Sequence, residues 1–231
     1  VSATEGLYEQ LTGPIRRLHH VERFSSVPVL HAENVAEHSW LVAFICILIY
    51  QDQAAMDERS PGPPDDLPCV FKDLDLGVVL PRAICHDISE SMSGDIIRSF
   101  KYSSKQLAEA MRDADDKNTW RFTRELGPGG DQLYSYWRDA KSISGDRNCE
   151  LLAFADVVAV VIKCAEEFWL GNRHLNAICK RAYEDHMQRL ASEFEWLWRY
   201  VQMLFPNGLY TDIYRRDPQV SHGDFEEEAQ R

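Results

Sequence analysis

An all-α fold is what this sequence predicts, and three observations predict it. Apolar residues recur at helical spacing in four long blocks, near 35–56, 73–90, 147–170 and 173–204. No segment shows the strict apolar–polar alternation of a half-buried strand. Helix starts and stops are marked by capping residues and by Gly/Pro clusters rather than by hairpin turns.

The elements follow in order. Residues 3–20 give one or two short helices broken at Gly13-Pro14, with Ile15, Leu18 and Val21 as a weak stripe. Residues 25–33 read as an extended loop. Asn34 with Glu37 three residues on forms a capping-box start for a helix running to about Met56, with His38 in its first turns. Residues 57–68 carry four Pro and one Gly and read as a surface loop. The helix over 73–90 uses Leu74, Leu76, Val78, Val79, Leu80 and Ile84 as its apolar face, and places His86 and Asp87 near its end. A Ser93-Gly94-Asp95 turn follows, then a loop at 96–102. An amphipathic helix spans 103–126, opening at Ser103-Ser104 and stopping at Gly127-Pro128-Gly129-Gly130. A short helix covers about 131–141. The helix over 147–170 is nearly all apolar from Leu151 to Ile162, apart from Asp156. A last helix, about 173–204, carries Leu190, Phe194, Leu197 and Val201 and ends before Pro206. We expect one domain over 1–214, with its core at about 14–205, and a charged, flexible tail over 215–231.

Length and composition fit that reading. The chain has 231 residues, 45% of them apolar, enough for a sizeable core. Acidic residues outnumber basic ones by 37 to 25, a net charge of −12, which argues against a long nucleic-acid groove. A small anionic substrate is compatible, since a metal and a few cations reverse the sign locally. The six cysteines (46, 69, 85, 149, 164 and 179) form no C-x-x-C pair, and Cys46, Cys85, Cys164 and Cys179, in apolar helical patterns, read as reduced core thiols of a cytoplasmic protein. No basic-then-apolar leader opens the chain, and the run Trp40–Tyr50 is too short for a bilayer. The expectation is a soluble protein with no membrane partner.

The chemistry centres on Ala83–Asp95. His86 and Asp87 are adjacent, and Glu90 follows on the same face. A His-Asp pair alone is more often a capped helix end with a buried imidazole. Asp156 inside an apolar helix is costly unless paired or metal-bound, and a polar network is the commoner cause. His38 alone is more often a satisfied core histidine. Together, His38, His86, Asp87 and Asp156 make a His₂Asp₂ set, suited to Mn²⁺, Co²⁺, Fe²⁺ or Zn²⁺ and to metal-assisted hydrolysis. The remaining histidines show no further paired-ligand spacing, so one metal is expected.

Four stretches now carry a resemblance: Glu33-Asn34-Val35-Ala36-Glu37-His38-Ser39, His86-Asp87-Ile88-Ser89-Glu90 through Ser93-Gly94-Asp95, Lys101-Tyr102, and Ala155-Asp156 with Lys163-Cys164-Ala165-Glu166-Glu167 and Gly171-Asn172. In this order they resemble the HD-domain phosphohydrolases, and within them the bacterial 5′-deoxynucleotidases related to YfbR. The resemblance covers about 14–172. It implies a compact HD-domain helical bundle, with His38, His86, Asp87 and Asp156 as metal ligands. It further implies Glu90 as the catalytic acid/base, Arg23 orienting the phosphate and Asp95 contacting the sugar. Phe24 stands where the family has a tryptophan against the nucleoside, and Ile96-Ile97-Arg98-Ser99-Phe100 replaces a proline-rich loop.

The implied substrate is a deoxynucleotide cut at its 5′-phosphate ester, a monophosphate first. Related phage enzymes act on dATP, so a triphosphate is the alternative, with Arg98, Lys101 and Lys105 as candidate contacts to the outer phosphates. Those three are as readily read as a solvated basic face. A non-catalytic nucleotide-binding module of the same fold is the other-class alternative. Relatives of this kind form homodimers or larger homo-oligomers, and the same is expected here.

Overall fold

The computed structural model describes residues 12–59, 73–142, 146–209 and 213. Its elements are helical: α1 (Pro14–Arg17) with a 3₁₀ turn at Leu18–His20, α2 (Val35–Arg59), α3 (Leu76–Cys85), α4 (Glu90–Ser93), α5 (Arg98–Lys101), α6 (Lys105–Glu125), α7 (Gly130–Ala140) and α8 (Arg147–Trp169). The C-terminal part is α9 (Asn176–Arg181), a π-helical stretch Ala182–Met187, α10 (Gln188–Glu193), a 3₁₀ turn Glu195–Leu197 and α11 (Trp198–Leu204). Among the described residues the one β feature is an isolated antiparallel bridge between Glu22 and Asn34. The loop expected over 57–68 lies largely outside the described residues, as does the tail 215–231; residues 57–59 continue α2.

Local chemistry explains the helix starts. The Asn34 N–H donates to Glu37 Oε2 and the Glu37 N–H donates to Asn34 Oδ1, both at 3.0 Å, so the expected capping box opens α2. Asp75 caps α3 through the Gly77 N–H, Ser104 caps α6 through Leu107, and Asp146 caps α8 through Asn148.

α2, α3 and α8 pack on one another, and α8 also meets α7, α9 and the π-helical stretch. Their shared core holds Val42, Cys46, Ile49, Val79, Ala83, Leu151, Phe154, Val158 and Val161, all buried. A smaller cluster of Ile88, Phe122 and Trp137 joins α6 and α7 to the turn after α3. None of the five described cysteines forms a disulfide.

Three expected elements differ. The helix expected over 73–90 ends at Cys85; His86–Ser89 form a turn, and α4 starts afresh at Glu90. The loop expected at 96–102 contains the single helical turn α5. The long helix expected over 173–204 breaks at Phe194, whose backbone is extended (φ −123°, ψ 83°). The break lets Trp196 turn back and donate its indole N–H to Glu150 Oε2 at 2.7 Å, while Leu197 stays fully buried.

One buried network ties the loop before α2 to the end of α8. The fully buried Glu167 carboxylate accepts from the Leu30 and His31 N–H groups, from Lys163 Nζ at 2.8 Å and from Asn172 Nδ2 at 2.7 Å. Burial alone would raise its pKa; these donors outweigh burial and hold it at about 2. A depressed carboxylate stabilises the fold above its ordinary range near 4.5 and loses that contribution as pH falls toward 2, here about 3 kcal/mol. Glu167→Ala leaves the Leu30, His31 and Asn172 donors without their acceptor and takes from Lys163 its buried partner, leaving it Glu166 and the His31 carbonyl, and is expected to cost about 3 to 5 kcal/mol. Urea unfolding at pH 7 checks this, and a midpoint shift below 1 kcal/mol would contradict it. The loss should shrink on acidification, because the wild-type pair itself weakens there.

Candidate active site

Three of the four expected ligands, His38, His86 and Asp87, form one cluster, and Asp156 meets it through His38. α2 presents His38, the turn closing α3 presents His86 and Asp87, and α8 presents Asp156. His38 Nε2 lies 2.9 Å from Asp156 Oδ1 and 4.0 Å from Asp87 Oδ2, and His86 Nε2 lies 3.0 Å from Asp87 Oδ2. Ligand atoms about 2.1 Å from one ion stand about 3 Å apart when adjacent and about 4 Å apart when opposed. The observed spacings match that pattern, and the ligand atoms of His38, His86 and Asp87 all fall within 4.8 Å of one another.

The proton positions also fit a divalent cation. His86 Nδ1 sits 2.7 Å from the Ala83 carbonyl oxygen, which makes Nδ1 a donor and points Nε2 at the site. That buried Nε2 makes no hydrogen bond. A buried imidazole nitrogen 3.0 Å from the Asp87 carboxylate and without a hydrogen bond is what a metal would satisfy. Burial, and then the nearby Arg23 charge, lower the pKa of His38 and keep it neutral. Burial works against ionised Asp87 and Asp156. The charges of His86 and Lys141 nevertheless hold Asp87 well below the ordinary range, and the His38 hydrogen bond holds Asp156 at about 2. His38 is therefore available as a neutral imidazole and Asp87 and Asp156 as carboxylates; burial works against a charge on His86, but the Asp87 carboxylate beside it raises its pKa, and a cation held there would take the place of that proton.

Glu90 opens α4 beside this cluster. Burial pushes its carboxyl up to about 9, with Asp87 and Asp95 adding to the shift. Its Oε2 is buried without a hydrogen-bond partner. A carboxylic acid that keeps its proton at neutral pH is equipped to donate it. Gly94 ends α4 at φ 74°, a left-handed conformation that glycine adopts freely, and so turns the chain from Glu90 to Asp95. Asp95 Oδ2 accepts the Phe24 N–H at 3.2 Å. Phe24 is itself left-handed (φ 57°), a conformation bulky residues seldom hold without support. Arg23 Nη1 bonds Glu33 Oε1 at 2.8 Å and lies 2.6 Å from His38 Nδ1, with its guanidinium 5.2 Å from the Phe24 ring centre.

The three cations expected near the outer phosphates have other partners. Arg98 stacks on Tyr102 at 5.3 Å, Lys101 Nζ pairs with Asp115 at 3.4 Å, and Lys105, 86% exposed, faces Glu109 at 3.9 Å. A cation absent from the sequence reading stands at the site instead. Lys141, at the end of α7, places Nζ 3.2 Å from Asp87 Oδ1. No motif marks it; only the pairing of α7 with α3 and α8 brings it there.

Comparison with known proteins shows the family of the chain. The family described as 5′-deoxynucleotidase YfbR-like matches residues 10–201. A dATP triphosphohydrolase of Salmonella phage PMBT28 is 30% identical over 105 residues, 44% of this chain, and the match spans half the length of that enzyme. A 5′-deoxynucleotidase of Pectobacterium atrosepticum is 23% identical over 79% of this chain and 84% of its own length. The crystal structure of an HD-domain phosphohydrolase from Listeria innocua superposes with a TM-score of 0.64 at 19% identity, covering 89% of each chain, and so shares the all-α fold. With most of its length matched, from ahead of Arg23 to beyond Asp156, the chain belongs to the YfbR-like 5′-deoxynucleotidase family.

Proposed function

We propose that this protein hydrolyses the 5′-phosphate ester of deoxynucleotides with one divalent transition metal, Mn²⁺, Co²⁺, Zn²⁺ or Fe²⁺, held by His38, His86, Asp87 and Asp156. The observation that supports this is the cluster of His38, His86 and Asp87 ligand atoms, with Asp156 held on His38 and the buried Glu90 carboxyl beside it. Family membership sets the substrate class, with the monophosphate as its simplest case. The phage relative, named for dATP, supports a triphosphate as the second reading.

The metal, when bound, lowers the pKa of a water molecule and offsets charge on the phosphoryl oxygens. Arg23 supplies a planar fork for two non-bridging oxygens. Water adds to the α-phosphorus, the bond from phosphorus to the 5′-oxygen breaks, and Glu90 passes its proton to that leaving oxygen. Phe24 offers an aromatic face to the nucleoside, and Asp95, already bracing Phe24, accepts from the sugar 3′-hydroxyl. His38 also has a proton to move. With Arg23 donating to Nδ1, the ring proton sits on Nε2 and points at Asp156. Were His38 to hold the metal through Nε2, its ring proton would sit on Nδ1 instead, on the side where Glu33 Oε1 stands 4.0 Å away and which Arg23 would leave on turning to the phosphate.

We place the activity in a single, soluble, cytoplasmic domain that acts as a homodimer or larger homo-oligomer. α2 is long and apolar enough over Val35–Met56 to cross a bilayer by composition, yet its inner side carries His38 and part of the core. Its outer side exposes Trp40, Phe44 and Leu48 one turn apart, with Trp40 and Phe44 stacked at 5.5 Å, a stripe that a second copy would cover.

Phosphorus NMR tests the function. The substrates are dAMP, dGMP, dCMP and TMP, with Mn²⁺, Co²⁺ or Zn²⁺ added in turn. Orthophosphate and free deoxynucleoside are expected. No product with any metal would overturn the reading in favour of a nucleotide-binding module.

A further inference from the structure

We propose that Lys141 binds the phosphate groups beyond the scissile one, and that it extends the substrate class of this site to deoxynucleoside triphosphates. The inference rests on the deoxynucleotide hydrolase reading and concerns the same pocket. Each added phosphate brings further negative charge into a site already lined by Asp87, Asp95 and Asp156, in a chain of net charge −12. A monophosphate is served by the metal and Arg23. A longer phosphate chain needs another cation on the open side of the ligand cluster.

Lys141 is placed for that. Its ammonium is 3.2 Å from Asp87 Oδ1, on the oxygen not facing His86 Nε2. The side chain is 46% exposed while Asp87 is 16% exposed, so the ammonium stands at the mouth of the site. Once Asp87 shares its charge with a metal, its hold on Lys141 weakens, and the ammonium is free to meet an anion at the same point.

The backbone behind Lys141 is braced. Arg82, one turn before His86 on α3, hydrogen-bonds Asp146 at the start of α8 and lies 3.6 Å from Asp139 at the end of α7. The Cys149 thiol closes the same bracket, donating to the Asp139 carbonyl oxygen at 3.2 Å. Lys141 is thus fixed to the helix that presents His86 and Asp87. Arg82 acts through Lys141 and is a positioning residue.

The reaction balances as for the monophosphate. Water adds to the α-phosphorus, the bond to the 5′-oxygen breaks, the Glu90 proton goes to that oxygen, and triphosphate leaves intact. The test compares Lys141 with Lys141→Gln and Lys141→Arg, all in a Glu90→Gln background that slows turnover, loaded with one equivalent of Co²⁺. Calorimetry reads dAMP and dATP binding, and metal content is checked in each variant. Lys141→Gln is expected to weaken dATP about 10- to 100-fold more than dAMP, with Lys141→Arg recovering most of the difference. With Glu90 restored, the kcat/KM ratio of dATP to dAMP should fall by the same factor, with triphosphate as the wild-type product. Equal weakening of both nucleotides, or no effect on dATP, would overturn the role of Lys141 and leave the hydrolase reading intact. Binding of neither nucleotide by the parent protein would overturn both.

Discussion

Asp87→Ala is expected to abolish both metal retention and turnover while leaving the fold in place. Asp87 is the residue around which the site closes: it lies 3.0 Å from His86 Nε2, 4.0 Å from His38 Nε2 and 3.2 Å from Lys141 Nζ. Changes behind a metal ligand already cost about 10- to 100-fold in affinity, so loss of the ligand itself should exceed about 100-fold. A metal that binds the native state raises its stability by about 2.7 kcal/mol when present at 100 times its Kd. Wild-type protein should therefore melt higher when Co²⁺ is added, and Asp87→Ala should show no such rise. A variant that keeps stoichiometric metal and full activity would remove Asp87 from the ligand set.

Glu90→Gln separates chemistry from metal binding. The amide keeps the size and polarity of the carboxyl group but has no proton to give the leaving oxygen. Turnover is expected to drop about 10²- to 10⁴-fold with metal content unchanged. Stability gives an independent readout. Burial holds the Glu90 carboxyl at about 9, against an ordinary value near 4.5. Between those values the folded state keeps a proton that the unfolded state has lost, so rising pH destabilises the metal-free wild type through this window. The Gln variant lacks that slope. Its metal-free melting temperature should equal or exceed that of the wild type, with a gap that widens from pH 5 to pH 8. A Glu90→Gln protein with wild-type turnover would overturn the role.

Features coded locally were legible in the sequence. The Asn34–Glu37 capping box, the Gly127–Gly130 stop and the apolar run of α8 each depend on a few neighbouring residues, and each stands where it was expected. The proposed ligand set was legible because its spacing matches a family pattern; the structure clusters His38, His86 and Asp87 and sets Asp156 on His38. The break at Phe194 was not legible. Leu190, Phe194, Leu197 and Val201 keep helical spacing, and what interrupts the helix is the tertiary pull of the core and of Glu150 on Trp196. Lys141 was invisible for a similar reason. Nothing near it in sequence marks chemistry, and its position comes from Arg82 pinning the ends of two other helices. Arg98, Lys101 and Lys105 drew attention by following Asp95, yet sequence neighbourhood did not predict where their side chains turn.

The measurement that tests the central claim most directly is a metal titration of activity. Protein stripped with a chelator and freed of it by exchange is assayed for dAMP hydrolysis while Co²⁺ is added in fractions of an equivalent. The account predicts no activity at the start and a linear rise that breaks at one equivalent per chain. Full activity in the stripped protein, or a break at two equivalents, would contradict a single metal held by His38, His86, Asp87 and Asp156.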